Sequence, residues 1–462
     1  MPDKRSKVVM NIAGGLATDF GPSFTGAPQG NVLSIPFLVE AQNCYYELDG
    51  APHKIGGATL LNSGQVTESG TAVAFKGIYD AWYQGTAGSE LQKRVAYCGT
   101  TILKEDLDGT WDTLKTGLES DKQPCFEMFS DLVITASTSN VDVPQKWNGS
   151  AATTSDLGGS PPNFAFHTKH KNRMWAAGVV ANPSRLYYSD SLDAEDWAGG
   201  GAIDIDPDDG DRLTGLISHK NELIVHKGPN KLSIHRITGS SPSDFARVPF
   251  ITGVASVEHS TMFRVNDDVV FASPRGLHSL AATAAYGDYV EAFLSRPILS
   301  YYQDGLNHNA ISGRAWGCNY QARGLAVWSF APAGTTSPSL YLAYDYRFQP
   351  GRWARWTNYL SANCLAIMQN SSRKHRLFAG TNNGYVFELD VADRTINVAT
   401  AYTMDVKTPF LNFGTSAHLK TAAVIWHSFP PKGDYNVTFG YTRDDNTEQT
   451  ATVPQSGGDT LA

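Results

Sequence analysis

An all-β chain of repeated units is what the sequence predicts, and three observations predict it. No window of 15 or more residues keeps a clean 3.6-residue apolar period. Short β-branched or aromatic runs alternate with clusters of Gly, Asn, Asp, Pro and Ser, and 43 Gly and 23 Pro supply the turns. The runs also recur at a nearly even spacing.

In chain order the runs are Lys93–Gly99, Asp131–Ala136, Asn172–Gly178, Asn221–His226, Asp267–Ala272, Gly324–Trp328 and Arg376–Gly380. Each opens on a polar or small residue, and each leads through a turn to a second strand. Those second strands are Thr101–Leu103, Lys146–Trp147, Arg185–Tyr188, Lys231–His235, Leu277–Leu280, Tyr341–Asp345 and Tyr385–Leu389. The starts at 93, 131, 172, 221, 267, 324 and 376 are separated by 38, 41, 49, 46, 57 and 52 residues. A period near about 40–50 residues with several strands per unit is the signature of a β-propeller. A single small sheet cannot bury both faces, whereas a closed ring of sheets can. The expectation is a β-propeller of about six to eight blades over residues 71–394. Two or three unrelated β-sandwiches form the alternative.

Two parts fall outside this array. Residues 1–70 are rich in Gly and Pro and read as an extended arm with one organised piece, Glu40–Gly50 passing into Pro52–Gly57. Residues 395–462 change rhythm, and Lys420–Trp426 with Tyr435–Tyr441 read as strands of a small C-terminal β-domain. The chain stops at Gly457–Ala462 without a closing strand, which fits a piece of a longer product.

Composition excludes several classes. With 37 Lys plus Arg against 45 Asp plus Glu, the formal charge is −8, which argues against a duplex-coating protein. Apolar runs are strand-sized, so no membrane-crossing helix is expected. Met1–Lys7 is basic, but Val8–Gly15 is too short an apolar core for a signal peptide, which points to synthesis in a cytoplasm. The cysteines Cys44, Cys98, Cys125, Cys318 and Cys364 are scattered, and neither a zinc site nor a disulfide scaffold is indicated.

Motifs for catalysis are missing. There is no Gly-Lys pair for a P-loop, no His-Glu pair for a metal helix, no GxSxG elbow and no GxGxxG after a strand. No catalytic, cofactor or metal residue is therefore assigned. Asp204–Asp211, with its alternating carboxylates, is the best ion candidate, set against a solvated acidic loop. His167, His170, His219, His226 and His235 read as surface or turn residues beside lysines. Trp111, Trp147, Trp197, Trp353 and Trp356 recur near unit ends, as sugar-stacking platforms or, in the favoured reading, as packing anchors. Asp106–Trp111 comes nearest to the turn of sialidase blades, with Asp and Gly misspaced and no second copy. Asn148-Gly149-Ser150 fits a glycosylation acceptor and is discounted without a secretory signal.

One resemblance covers roughly residues 10–390. Gly14-Gly15-Leu16, Glu40–Asn43, Leu48–Gly50 and Lys54–Gly57 resemble the start of tail proteins of tailed bacteriophages. Arg173–Ala177, Arg185–Asp190, Asp196-Trp197, Ile203–Ile205, Asp209–Leu216, Leu223–Lys227, Gly253–Ser256 and Val269–Leu277 follow in the order of their propeller-bearing nozzle, also called tail hub or tail tubular protein B. The resemblance implies a virion protein made in the bacterial host cytoplasm. It implies a homo-oligomeric ring of about six copies below the portal and adaptor. That ring continues the DNA channel, retains the genome until ejection and docks fibres, spikes or a needle. DNA would pass without specific binding, which suits a negative chain. An arm without its own core would interlock neighbouring subunits. A carbohydrate-binding, receptor-recognising propeller is the alternative function. A secreted glycoside hydrolase is a third.

Overall fold

The polar residue that opens most of these units turns out to be a corner. In the computed structural model each run is the second strand of a blade of three or more strands, and the opening residue closes the hairpin from the first strand in all but two, Lys93 and Arg376, which lie inside the strand. Ser130, Asp131, Lys171, Asn172, Lys220 and Asn266 hold positive φ at these corners, the left-handed backbone that two-residue hairpin turns demand. The structure describes residues 9–12, 14–20, 23–24, 29, 32–84, 90–139, 141–286, 293–393, 395–396, 400–411, 435–442 and 448–455. They divide into two units, Met1–Gly414 and Thr415–Ala462.

The first unit is a seven-bladed β-propeller, within the range expected. Blades 1 to 4 start at Phe75, Pro124, Phe166 and Arg212, and each has four strands in chain order. Blade 5 starts at Phe263, blade 6 at Trp316 and blade 7 at Cys364. First strands of successive blades lie side by side around the axis. Second strands are walled by the neighbouring blades on both faces, so they need apolar residues without alternation. Arg173–Ala177 and Leu325–Phe330 are buried at every position. That is why these strands stand out in the sequence.

Aromatic side chains lock one blade to the next. Tyr83 of blade 1 meets Trp147 of blade 2 edge-on at 5.7 Å, and Tyr79 stacks on Phe126 at 5.8 Å. Phe263 of blade 5 contacts Trp328 of blade 6 at 5.0 Å.

The 57-residue gap before blade 6 has a structural cause. Blade 5 has three strands, and its outer side is taken by a helical insertion with short helices over Leu280–Tyr286 and Leu299–Gly305. Ile298, Tyr302 and Leu306 are buried in one cluster with Phe271 and Leu277, and Tyr302 Oη donates to the Ser273 carbonyl at 2.7 Å. Seven residues make only two helical turns, too few to register as a period.

Both flanking segments depart from the expected boundaries. Gly57–Leu60, placed in the arm of residues 1–70, is the fourth strand of blade 7, antiparallel to Val386–Val391. Glu40–Gln42 extends blade 6 beside Arg352–Trp356. Residues from 395 onward, expected in the C-terminal domain, begin by adding to the propeller. Thr395–Ile396 pairs beside Gly57–Leu60, and Asp405–Lys407 pairs with Glu40–Gln42. The physical reason is that two sheets had open edges and these short strands satisfy them. The second unit shows a hairpin of Tyr435–Thr442 with Glu448–Gln455. Lys420–Trp426 lies outside the described residues.

The Gly14-Gly15 pair is explained by close approach. A Cβ on Gly15 would sit 2.7 Å from the Trp353 backbone nitrogen, and one on Gly14 would sit 1.7 Å from the Pro36 carbonyl oxygen. Leu16 N donates to the Trp353 carbonyl and Leu38 N to the Gly15 carbonyl, both at 2.9 Å. The Asp19 carboxylate accepts from Ser300 N at the start of the second short helix, at 2.9 Å. Residues 14–20 thus pack on their own chain. Gly15→Val is expected to lose about 1–3 kcal/mol by overpacking and to open the buried Leu16 and Phe37 positions to chymotrypsin. Unchanged urea denaturation and proteolysis would count against this account of the pair.

Candidate functional site: the closed axis and the loop surfaces

Ligands of propellers are received where loops converge on the axis, so the axis decides what kind of site is present. Here the connection from blade 4 to blade 5 crosses it. A 3₁₀ turn over His259–Thr261 follows Glu258, whose side chain caps the turn at Ser260 N. Blades 2, 3, 4 and 6 grip this segment. Gln123 Nε2, before blade 2, donates to Ser260 Oγ at 2.9 Å and lies 3.3 Å from the Ala315 carbonyl, before blade 6. Ser260 Oγ donates to that carbonyl at 2.7 Å. Leu216 N of blade 4 donates to His259 Nδ1 at 3.3 Å, and Phe166 of blade 3 stacks on the imidazole at 5.0 Å. Arg314 holds Asp121 through two bonds of 2.9 and 2.6 Å, and Lys76 pairs with the same carboxylate. Each polar group of this plug answers another, so the axis is packed rather than open.

The plug contains a thiol–imidazole pair that sequence reasoning did not find, because its members lie 134 residues apart. Cys125 Sγ is 3.4 Å from His259 Nε2. Such a distance suits a nucleophilic dyad. Burial pushes the thiol up to about 12 and lowers the imidazole to about 4. The proton therefore stays on sulfur, and the pair packs without ionising. Burial also raises the Glu258 carboxyl, against the bonds it accepts from Gly313 N and Ser260.

The acidic loop Asp204–Asp211 already holds a cation, supplied by the chain. Lys227 from blade 4 has a fully buried side chain. Its Nζ donates to the Ile205 carbonyl at 2.7 Å and to the Asp206 carbonyl, and it lies 2.7 Å from Asp209 Oδ1. Of the remaining carboxylates all but the exposed Asp208 are also engaged. Arg185 binds Asp204 at 2.7 and 2.8 Å, Arg247 pairs with Asp206, and Asp211 accepts from Asn230 and Lys231. An ammonium occupies the place that a calcium ion would need. Lys227→Met strands one carboxylate and two carbonyls and is expected to lose about 3–5 kcal/mol in urea denaturation. A loss under about 1 kcal/mol would refute this account of the loop.

The histidines are interior groups, contrary to the expectation of surface or turn positions. His167 and His226 are fully buried, and desolvation lowers each to about 3. His170 is buried against Ser218 Oγ at 2.9 Å. His235 is buried beside Ser233, and His219 is half-buried. Neighbouring lysines in sequence misled here, because alternate residues of a strand face opposite sides.

The tryptophans fall on the packing side. Trp147, Trp353 and Trp356 are buried, and their indole nitrogens donate to the carbonyls of Ala151, Leu294 and Cys44 at 2.7, 2.9 and 2.9 Å. Trp111 and Trp197 are half-buried, and no tryptophan among the described residues is exposed. The turn at Asp106–Trp111 does have a counterpart. Asp108 accepts from Thr110 N at 2.9 Å, and Asn148 accepts from Ser150 N at 3.0 Å, with Gly109 and Gly149 at φ +80° and +78°. Asp-Gly-Thr and Asn-Gly-Ser are one turn between third and fourth strands. Asn148 serves that turn.

Among the described residues no group of three or more His, Cys, Asp or Glu is placed to hold a metal ion, and no helix is long and apolar enough to cross a membrane. Fold and axis together define a seven-bladed propeller with a plugged centre. No family model matches the chain, and no curated protein matches it. Among solved structures, the extracellular domain of a hybrid two-component system from B. thetaiotaomicron is similar over 68% of this chain and 40% of its own, at 12% identity and a TM-score of 0.42. The chain thus spans less than half of that domain. A likeness this loose carries no argument, and the blade count rests on the strand order above.

Proposed function

We propose that the chain is a structural subunit of a bacteriophage tail: a propeller of the nozzle ring. The observation that carries this reading is the ordered series of tail-protein-like segments. From Arg173 to Leu277 it runs through three consecutive blades, 3 to 5, and through Gly253–Ser256, which leads into the axial plug. The closed axis adds a constraint. A duplex has no path through a plugged propeller, so the DNA channel would lie between subunits, enclosed by a ring of about six copies on the virion's tail axis. Adaptor above and fibres, spikes or a needle below would dock on the rims. The role assigned is assembly, genome retention and passage, with no covalent step.

Cryo-EM of the particle tests it. A closed ring of this chain on the tail axis is the expected result. Peripheral copies off the axis, or absence from any particle, would refute it. Off-axis copies that bind glycans would install the carbohydrate-recognising alternative, which the burial of Trp147, Trp353 and Trp356 does not favour.

A further inference from the structure

We infer that one end of the propeller carries a weak, sequence-independent binding surface for a phosphodiester backbone, built on the turns between first and second strands. These turns ring the axis at the end opposite the plug, because every first strand runs from the plug side toward them.

Two independent observations meet there. The first is charge. Lys169, Lys220, Arg264, Arg373 and Lys374 are exposed and Lys171 is half-buried, all on these turns or the adjoining strand ends of blades 3, 4, 5 and 7. Lys169 Nζ lies over the Phe129 ring at 5.4 Å, Lys171 Nζ lies 3.4 Å from Asn221 Oδ1, and Arg264 donates to the Ser218 carbonyl. Lys220 is 3.0 Å from Asp267, with both side chains mostly in solvent. The partly buried Glu127 carboxyl feels the charges of both Lys169 and Arg264, and it accepts from Lys169 N at 3.4 Å. At the plug end, by contrast, Glu119, Asp121, Asp142, Asp208 and Asp209 gather in the loops. Exposed Lys and Arg thus recur on these turns, where Asp131 and Asp267 are also exposed, in a chain of net charge −8.

The second observation is backbone conformation. Lys171, Lys220 and Arg373 sit at φ +49°, +52° and +56°. Asn or Gly takes that region with little strain, and a long side chain does not. Three blades nonetheless place a basic residue on the strained corner, which is the pattern of positions kept for contact rather than for folding.

The chemistry of the rim selects the partner. None of these turns carries an aromatic residue, and their other members are Asn, Ser, Gln and Asp. Protein interfaces and single-strand binders rely on aromatic anchors. Lysine, arginine and short polar donors suit phosphate oxygens. Acidic turns on the outer edge of the same end, at Asp108, Asp193 and Asp244, would confine a polyanion to the axis.

The inference rests on the tail reading for the polymer's identity. The two are tested apart, since binding is read on the free full-length chain and the tail role on the particle. A fluorescent duplex of arbitrary sequence is titrated at about 25 mM and about 150 mM salt. Binding at the lower salt that fades at the higher is expected. The variant Lys171→Asn, Lys220→Asn, Arg373→Asn should weaken it at least about tenfold and flatten the log–log salt slope by about 0.9 per lost contact. Its Tm should stay level or rise, because Asn relaxes the corners, so loss of binding cannot be ascribed to misfolding. Lys122→Asn with Lys231→Asn, at the plug end, should leave binding unchanged. No binding at the lower salt, or equal binding by the triple variant, overturns the inference. Polyglutamate bound as tightly and with the same sensitivity overturns it in favour of an acidic protein partner.

Discussion

Acidification from about pH 7.5 to about pH 5 is expected to remove on the order of 6 kcal/mol of stability, about 2 kcal/mol for each of three buried imidazoles. His167, His226 and His278 are fully buried, and desolvation lowers each from 6.5 to about 3. In the unfolded chain they titrate near 6.5. Below that pH the unfolded state binds more protons than the folded one, so stability falls as the pH drops from 6.5 toward 3. His259, lowered to about 4, adds to the effect. Glu127 and Glu258, both raised by burial, act oppositely. They take protons in the folded state first and return part of the loss as the pH approaches 4.5. The sum is comparable to the whole stability of a typical domain. Urea denaturation at both pH values checks this. A midpoint that does not move would show that these imidazoles are not held neutral. His278 stacks on Phe271 at 5.4 Å and meets Phe293 at 4.2 Å, with Nε2 2.9 Å from Ser273 Oγ. His278→Gln should therefore make the pH dependence shallower, even if it lowers stability at pH 7.5.

Ala58→Asp is expected to lose about 3–5 kcal/mol or to prevent folding, whereas Thr59→Asp changes stability by less than about 1 kcal/mol. Both lie on the strand that closes the ring. Ala58 faces Leu389 in register and is buried in a cluster with Ile55, Trp356 and Tyr402, while Thr59 is exposed. A carboxylate at Ala58 would enter that cluster with no counter-ion, and the fourth strand of blade 7 would detach. The ring would then be held by three strands at its last blade. Equal effects of the two substitutions in thermal and urea denaturation would show that Gly57–Leu60 is not the closing strand.

Much of this architecture could be read from local pattern. The corner at Lys171-Asn172 and the apolar run Arg173–Ala177 identify a blade, because each property belongs to neighbours in the chain. The rest could not be read that way. The run Ile55–Leu60 looks like loose chain until Val386–Val391 is beside it. Asp204–Asp211 looks like an ion loop until Lys227 Nζ is found inside it. Cys125 and His259 show no relation until the blade 4 to blade 5 connection is seen crossing the axis.

The sequence alone determined that this protein is a ring of β-sheets and where the second strand of each blade lies, since hairpin corners and doubly buried strands impose their residue types locally. The tertiary structure alone decided how the ring is closed, what fills its axis and which charges remain free. Those depend on pairing and desolvation between residues hundreds of positions apart, and burial strengthens or neutralises a charge according to neighbours that no local pattern contains.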